Sequence, residues 1–446
     1  MKRLSTLLSV AACLAGSAHA QETSIALPPV PAGTIAAISD GDFVAQSYAN
    51  GVLAPREAEY RDVLSILSVV DGKLQRAELP VSNSVTAAPE VLALTPDGRT
   101  AFVTERLAER TEDTRLVKDL RPGNRVFAID LSDKTAPRQA DTQKIADFPE
   151  ALAIDPSGRR IAVVSNTREA SLVQLISYSG GRFGAVETFD LAELGIKGTA
   201  GTPRGGVTAT NVQWHPSGRF LAVNINTQNR IAFLAADEAD GRHVLKPWGN
   251  IVDVGADPFV GRFTPDGRFY ITSDWGRDFS ATDLDGRIPD RRSGMTVIRF
   301  AEKAAAGEAR HEKVENAESD IAAEGMAISP DGRLVATVNM RTTAFPPSSS
   351  RFTREATVSL LSLDPDTGGL AKIGDYPFEG VLPEGATFDL TGDKLLVTVF
   401  QDHEGQKEGI GAGIEVFEVV KGETPSLLRR GRIPMPHGLH HVAIAQ

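Results

Sequence analysis

One pattern recurs along this chain and narrows its fold more than any other feature: an alternating apolar segment, a Pro-Asp-Gly type turn, then a second apolar segment. It reads Glu90-VLALTPDG-RTAFVT, Glu150-ALAIDPSG-RRIAVVS, Thr210-NVQWHPSG-RFLAVNI, Phe259-VGRFTPDG-RFYITSD, Glu324-GMAISPDG-RLVATVN and Glu384-GATFDLTG-DKLLVTV. The turn glycines Gly98, Gly158, Gly218, Gly267, Gly332 and Gly392 are separated by 60, 60, 49, 65 and 60 residues. Each copy is chemically a β-hairpin. Alternation such as Val91/Ala93 against Leu92/Leu94 gives a strand two distinct faces. Proline presets φ, Asp or Ser hydrogen-bonds the local backbone, and glycine takes the positive φ that closes the turn.

Two more strand-like runs follow each hairpin, as in Arg230-IAFLAAD and Val358-SLLSL. Four strands per copy at this period predict an all-β fold, a seven-bladed β-propeller of four-stranded antiparallel blades over 34–446. Innermost strands are expected near 90–95, 150–155, 210–215, 259–264, 324–329 and 384–389. A parallel β-helix needs a much shorter period, and a helical solenoid needs 3.6-residue periodicity, which is absent. The seventh copy is Thr34-IAAISDGDFVAQSYA, followed by Asp62-VLSILSVV and Leu74-QRAEL, yet the tail His440-HVAIA also reads as an innermost strand. Propellers close by letting one terminus complete the blade begun by the other, which removes exposed sheet edges. Both termini cannot take the same position, and the sequence leaves the choice open.

The first twenty residues read as a signal peptide. Lys2 and Arg3 form the positive region, 4–16 an apolar stretch too short to span a bilayer, and Ala18-His19-Ala20 a small-x-small cleavage site. Gln21 is then the expected mature N-terminus, with 21–33 a lead-in to the propeller. A rival reading takes Val10-Ala11-Ala12-Cys13 as a lipidation box. No later stretch is apolar enough to cross a membrane, so a periplasmic or secreted protein, not membrane-spanning and monomer-capable, is expected. Cys13 is the one cysteine. After cleavage no disulfide, thiolate metal site or cysteine nucleophile is possible. Lys+Arg number 47 against 58 Asp+Glu; without Lys2 and Arg3 the balance is 45 − 58 = −13. A phosphate backbone would be repelled, so nucleic acid is excluded as a partner.

The long connections fall on one face. Segments 50–61, 105–124, 274–292, 340–354 and 401–412 join second to third strands, and 195–209 is a crossover between blades, whereas the first turns are all short. Repeat scaffolds put variable insertions on their binding face. The residue opening each innermost strand lies on that face too: Glu90, Glu150, Thr210, Phe259, Glu324 and Glu384, with His440 or Gly33 in the seventh slot. Such carboxylates repel one another unless a cation or hydrogen bonds offset them, and a repeated Glu also serves as a fold device. The exceptions carry more information. Three positions on, Ala93, Ala153, Ala327 and Thr387 are small, but Gln213 and Arg262 are not, and their blades have lost the Glu. Arg262 is expected either to grip a ligand carboxylate or to neutralise a ring Glu, with Glu150 and Glu324 as its expected partners. The candidate ligand-binding set is therefore Arg262, Gln213, Asn211, Glu90, Glu150, Glu324, Glu384 and His440, with the 274–292 loop overhanging Arg262.

No cofactor or metal is expected. His437 and His441 would lie about 13 Å apart on an extended strand, too far for one ion. Asp283-Leu284-Asp285-Gly286 lacks the flanking carboxylates of a calcium loop, and the glycines 409, 411 and 413 lack the surrounding strand–turn–helix of a dinucleotide site. No Gly-x-Ser-x-Gly elbow, His-Glu-x-x-His or phosphate loop occurs.

The copy Pro383-Glu384-Gly385, and more closely Glu324-GMAISPDGRLVATVN, resembles the YVTN-type propeller repeat. More widely, the chain is similar to the lactonase-like seven-bladed propellers, a fold that hosts many activities. The resemblance implies Arg, His and Glu side chains in the central funnel. It also implies an Arg-His pair opening the strand that ends in His-Pro-Asn-Gly. Here that strand ends in His215-Pro216-Ser217-Gly218 but opens with Thr210-Asn211, while His440-His441 resembles such an opening. The leading expectation is a non-catalytic binding or scaffold module for a small molecule or a periplasmic protein on the loop-rich face. The alternative is a lactonase-like hydrolase of a small sugar or organic-acid lactone. Convergence of Arg262, a His and a Glu would favour the enzyme; a funnel plugged by Glu–backbone bonds would favour the scaffold.

Overall fold

A computed structural model describes residues 28–70, 73–198, 206–305, 307–403 and 411–445. The proposed signal peptide, with Cys13 and the Gln21 terminus, lies outside the described residues, as do parts of the 195–209 and 401–412 connections. Half of the chain is strand and 4% helix. Seven antiparallel sheets form seven blades, with Val252–Asp253 as an extra short strand on the fourth. From the second blade to the seventh, the innermost strands are Leu92–Leu94, Pro149–Ile154, Ala209–Trp214, Pro258–Phe263, Ala323–Ile328 and Ala386–Phe388. These fall within a residue or two of the expected positions.

The repeated turns explain why each hairpin closes where it does. In the second blade Gly98 sits at φ 64° and its N–H donates to Thr95 O at 2.8 Å, while Thr95 Oγ1 donates to Asp97 Oδ1 at 2.6 Å. Thr264/Asp266/Gly267 and Ser329/Asp331/Gly332 repeat this bond set, with glycine φ of 73° and 70°. A β-carbon at such φ would be strained, so the glycine is needed there.

Blade closure answers the question left open by the termini. The C-terminal strand Leu439–Ala445 is innermost in the first blade, and Thr34–Ser39 pairs beside it as the second strand, followed by Val63–Val70 and Lys73–Pro80. The N-terminal segment is thus not an innermost strand. Seven clusters of buried apolar side chains lie between neighbouring blades, such as Val164, Leu175, Trp214 and Leu221 between the third and fourth. Alternation supplies these faces: on each central strand both sets of side chains meet a neighbouring blade. The ring leaves a central channel lined by the innermost strands.

Candidate functional site: a charged cluster across the central channel

The channel contains a cavity of about 440 Å³. The small side chains Ala93, Ala153, Ala327 and Thr387 leave it open, and Gln213 and Arg262 project from the same row. Pro216, Pro265 and Pro330 of the short turns also line it. The cavity therefore reaches the face of the short turns, opposite the long loops. That overturns the expectation that Arg262 sits under the 274–292 loop.

Arg262 Nη2 donates to Glu90 Oε1 at 2.5 Å, and Nη1 donates to Gly261 O at 3.2 Å. Of the five guanidinium N–H groups, 5 − 2 = 3 have no protein acceptor among the described residues. Gln213 Nε2 donates to Glu90 Oε2 at 3.3 Å. Burial raises the Glu90 pKa above its ordinary value, with Arg262 and Gln213 pulling it back. Arg262 thus neutralises a ring Glu, but Glu90 rather than Glu150 or Glu324.

His441 completes the cluster. Its ring lines the same cavity, and its Nδ1 accepts the Leu92 N–H at 3.2 Å. That bond fixes the tautomer, leaving the proton on Nε2. Burial, then the charges of Arg262 and His440, holds the ring well below the usual histidine pKa, so it stays neutral. His440, the residue singled out from sequence, is fully buried and does not line the cavity; its Nε2 meets Asn83 Oδ1 at 2.8 Å. Asn211 is also fully buried, off the cavity, and its side chain has no hydrogen-bond partner among the described residues.

The other ring carboxylates belong to the loop-rich side. Glu150 Oε1 accepts from Arg106 Nε at 2.8 Å and Asn166 Nδ2 at 3.2 Å. Glu324 and Glu384 lie beneath a canopy built by the long loops, where Phe43, Leu53, Trp275, Ile288, Met340, Phe345 and Phe400 form one buried apolar cluster. The loops interlock: Ala45 N–H donates to Gln401 Oε1 at 2.9 Å, and Arg351 Nη2 donates to Ile288 O at 2.8 Å. The loop-rich end of the channel is roofed by apolar side chains above a cavity of about 80 Å³ bordered by Arg277, Glu324 and Glu384, rather than plugged by Glu–backbone bonds. Asp40, Asp42 and Asp62 cluster at the root of the first loop, but backbone N–H groups and Arg110 engage them.

No protein-family model and no curated protein matches the sequence. Solved structures do resemble it. The periplasmic gluconolactonase of Pseudomonas aeruginosa matches over 92% of this chain and 99% of its own, with TM-score 0.61 and 16% identity. A candidate 6-phosphogluconolactonase from Bacteroides uniformis matches over 93% and 99%, with TM-score 0.57 and 16% identity. A protein of unknown function from Desulfotomaculum acetoxidans reaches TM-score 0.58 at 12% identity over 93% and 99%. Identities this low carry fold and not activity. In fold, then, the chain is a seven-bladed propeller similar to the lactonase-like propellers.

Proposed function

We propose that this protein is an exported lactonase-like hydrolase that opens a small sugar or organic-acid lactone in the channel cavity. The observation that carries the reading is the meeting of Arg262, Glu90, Gln213 and His441 in one cavity of about 440 Å³, a volume suited to a small ligand. The non-catalytic reading relied on a binding mouth at the loop-rich end, where the canopy leaves a cavity of about 80 Å³, far smaller than the one in the channel.

The chemistry divides among these groups. Glu90, with its raised pKa, accepts a proton from the attacking water. The unpaired Arg262 N–H groups and the His441 Nε2–H donate to the lactone carbonyl oxygen as it gains charge. The ring C–O bond then breaks, the proton passes from Glu90 to the leaving alkoxide, and the product is a hydroxy acid. Its new carboxylate lies beside Arg262, where a bidentate pair is available. Export favours an unphosphorylated substrate, because phosphorylated sugars are supplied in the cytoplasm. A periplasmic gluconolactonase among the fold neighbours fits that choice.

The test is hydrolysis of a panel of aldonic and organic-acid lactones by pure protein, followed as proton release and corrected for spontaneous opening. Saturable hydrolysis lost in Arg262→Ala supports the reading. Rates equal to the uncatalysed background across the panel refute it.

A further inference from the structure

Past the cluster of Glu90, Gln213, Arg262 and His441, the channel changes character toward the short-turn face. The residue that follows the row of small side chains is large and apolar in all seven blades. Ile154, Ile328 and Ile444 are half-buried there, and Leu94, Trp214, Phe263 and Phe388 are buried; all seven line the cavity. Two residues further on, Pro216, Pro265 and Pro330 of the turns form its rim. The seventh blade has Leu390 at that proline position, 44% exposed. From the Arg262 row to the rim is three residues, about 10 Å of extended chain. The row itself adds little polarity. Ala93, Ala153, Ala327 and Ala443 have no polar side-chain atom, and the Thr387 hydroxyl donates to Phe388 O at 3.1 Å.

We propose that the substrate is a lactone carrying a hydrocarbon chain, an alkyl-substituted γ- or δ-lactone rather than a polyhydroxylated sugar lactone; this rests on the lactonase reading of the same cavity. The ring meets Arg262, Glu90 and His441, and the chain lies along the apolar collar toward the mouth. A collar to which every blade contributes takes the chain out of water on all sides, and each buried methylene then favours binding. Packing between blades accounts for the buried members of the collar, but the exposed flanks of Ile154, Ile328 and Ile444 are left to face the cavity. A sugar lactone would bring several hydroxyls to this wall. The polar side chains at hand are engaged with one another and with the reacting ester group, so those hydroxyls would lose water without gaining partners.

Pure wild-type protein, assayed by proton release on γ-lactones with methyl to hexyl chains beside gluconolactone, tests this. Relative to spontaneous opening of each compound, kcat/KM should rise about fourfold per added methylene, the equivalent of about 0.8 kcal/mol for each buried CH2, and gluconolactone should fall below the alkyl compounds. Ile154→Thr and Ile328→Thr keep a β-branched side chain on the strand and should fold, and each should make that rise shallower. No dependence on chain length, or gluconolactone preferred to every alkyl lactone, overturns the substrate class and leaves the lactonase reading standing. A dependence unchanged in both variants overturns the role of the collar. Background rates for every compound overturn the lactonase reading and this inference with it.

Discussion

Arg262 Nη2 lies 2.5 Å from Glu90 Oε1, although the two are 172 residues apart and two blades stand between theirs. The pair spans the channel. One charge comes from the residue opening the second blade's inner strand, the other from mid-strand in the fifth. Gln213, from the fourth blade, holds the second Glu90 oxygen. The arrangement keeps a carboxylate together with three N–H groups that have no acceptor among the described residues, at the wall of an open cavity.

Arg262→Ala should abolish lactone hydrolysis and also strand Glu90. The destabilisation should be about 1–3 kcal/mol at pH 8, below the figure for a wholly enclosed pair because the Arg262 side chain is 23% exposed. It should shrink toward pH 5. Glu90 already has a raised pKa and, without its cation, will hold its proton to higher pH. Denaturant melts of both proteins at the two pH values check the sign.

Glu90→Gln should separate chemistry from stability. The amide oxygen still accepts from Arg262, but its NH2 meets the Gln213 donor and the guanidinium loses its counter-ion, so Tm should fall modestly, less than in Arg262→Ala, while kcat should fall by about 10²–10⁴. The acid limb of the pH–rate profile should disappear. Loss of KM alone, with kcat intact, would make Glu90 a binding group instead.

Adjacent histidines should behave oppositely. His440→Ala removes the partner of buried Asn83 and should cost about 1–3 kcal/mol, with normal turnover per folded molecule. His441→Ala should instead depress turnover more than substrate affinity. Steady-state kinetics beside melts for the pair of variants decide this.

Stability should fall as pH rises from about 7.5 to 8.5. Burial raises Glu324 to about 8, Asp40 to about 7 and Asp274 to about 6. Each raised carboxyl contributes stability that is full below its unfolded pKa and lost as pH climbs through the folded one. His440, depressed to about 3, acts oppositely: its contribution is present above its unfolded pKa, about 6.5, and is lost as pH falls. That opposing contribution, shared by His215, His311, His437 and His441, fades as the unfolded histidines lose their last protons by about pH 7.5, and the carboxyls then set a downward slope. Glu324→Gln should flatten it and raise Tm at pH 8.

The fold was legible because its determinants are local. Six copies of one turn, each with its own glycine and side-chain oxygen, mark the hairpins, and alternation marks the faces. Arg262 and Gln213 stood out as long polar residues in a row of small ones. The partner of Arg262 was not legible, because which carboxylate crosses a channel depends on the closed ring. His441 was missed for a different reason. A bulge shifts the register between Ile38↔His441 and Ser39↔Leu439, so parity along the strand does not tell which histidine faces the channel. The open end of the channel is not where long loops suggest a binding face, because here Phe43, Trp275, Phe345 and Phe400 fold inward and roof that end.

The most direct test is a crystal structure of Glu90→Gln soaked with a lactone that the wild type hydrolyses. The account predicts density for the intact ring in the channel cavity, on the short-turn face, with its carbonyl oxygen against Arg262 and His441. A lactone bound under the loops of the opposite face, or an empty channel at saturating ligand, would contradict it.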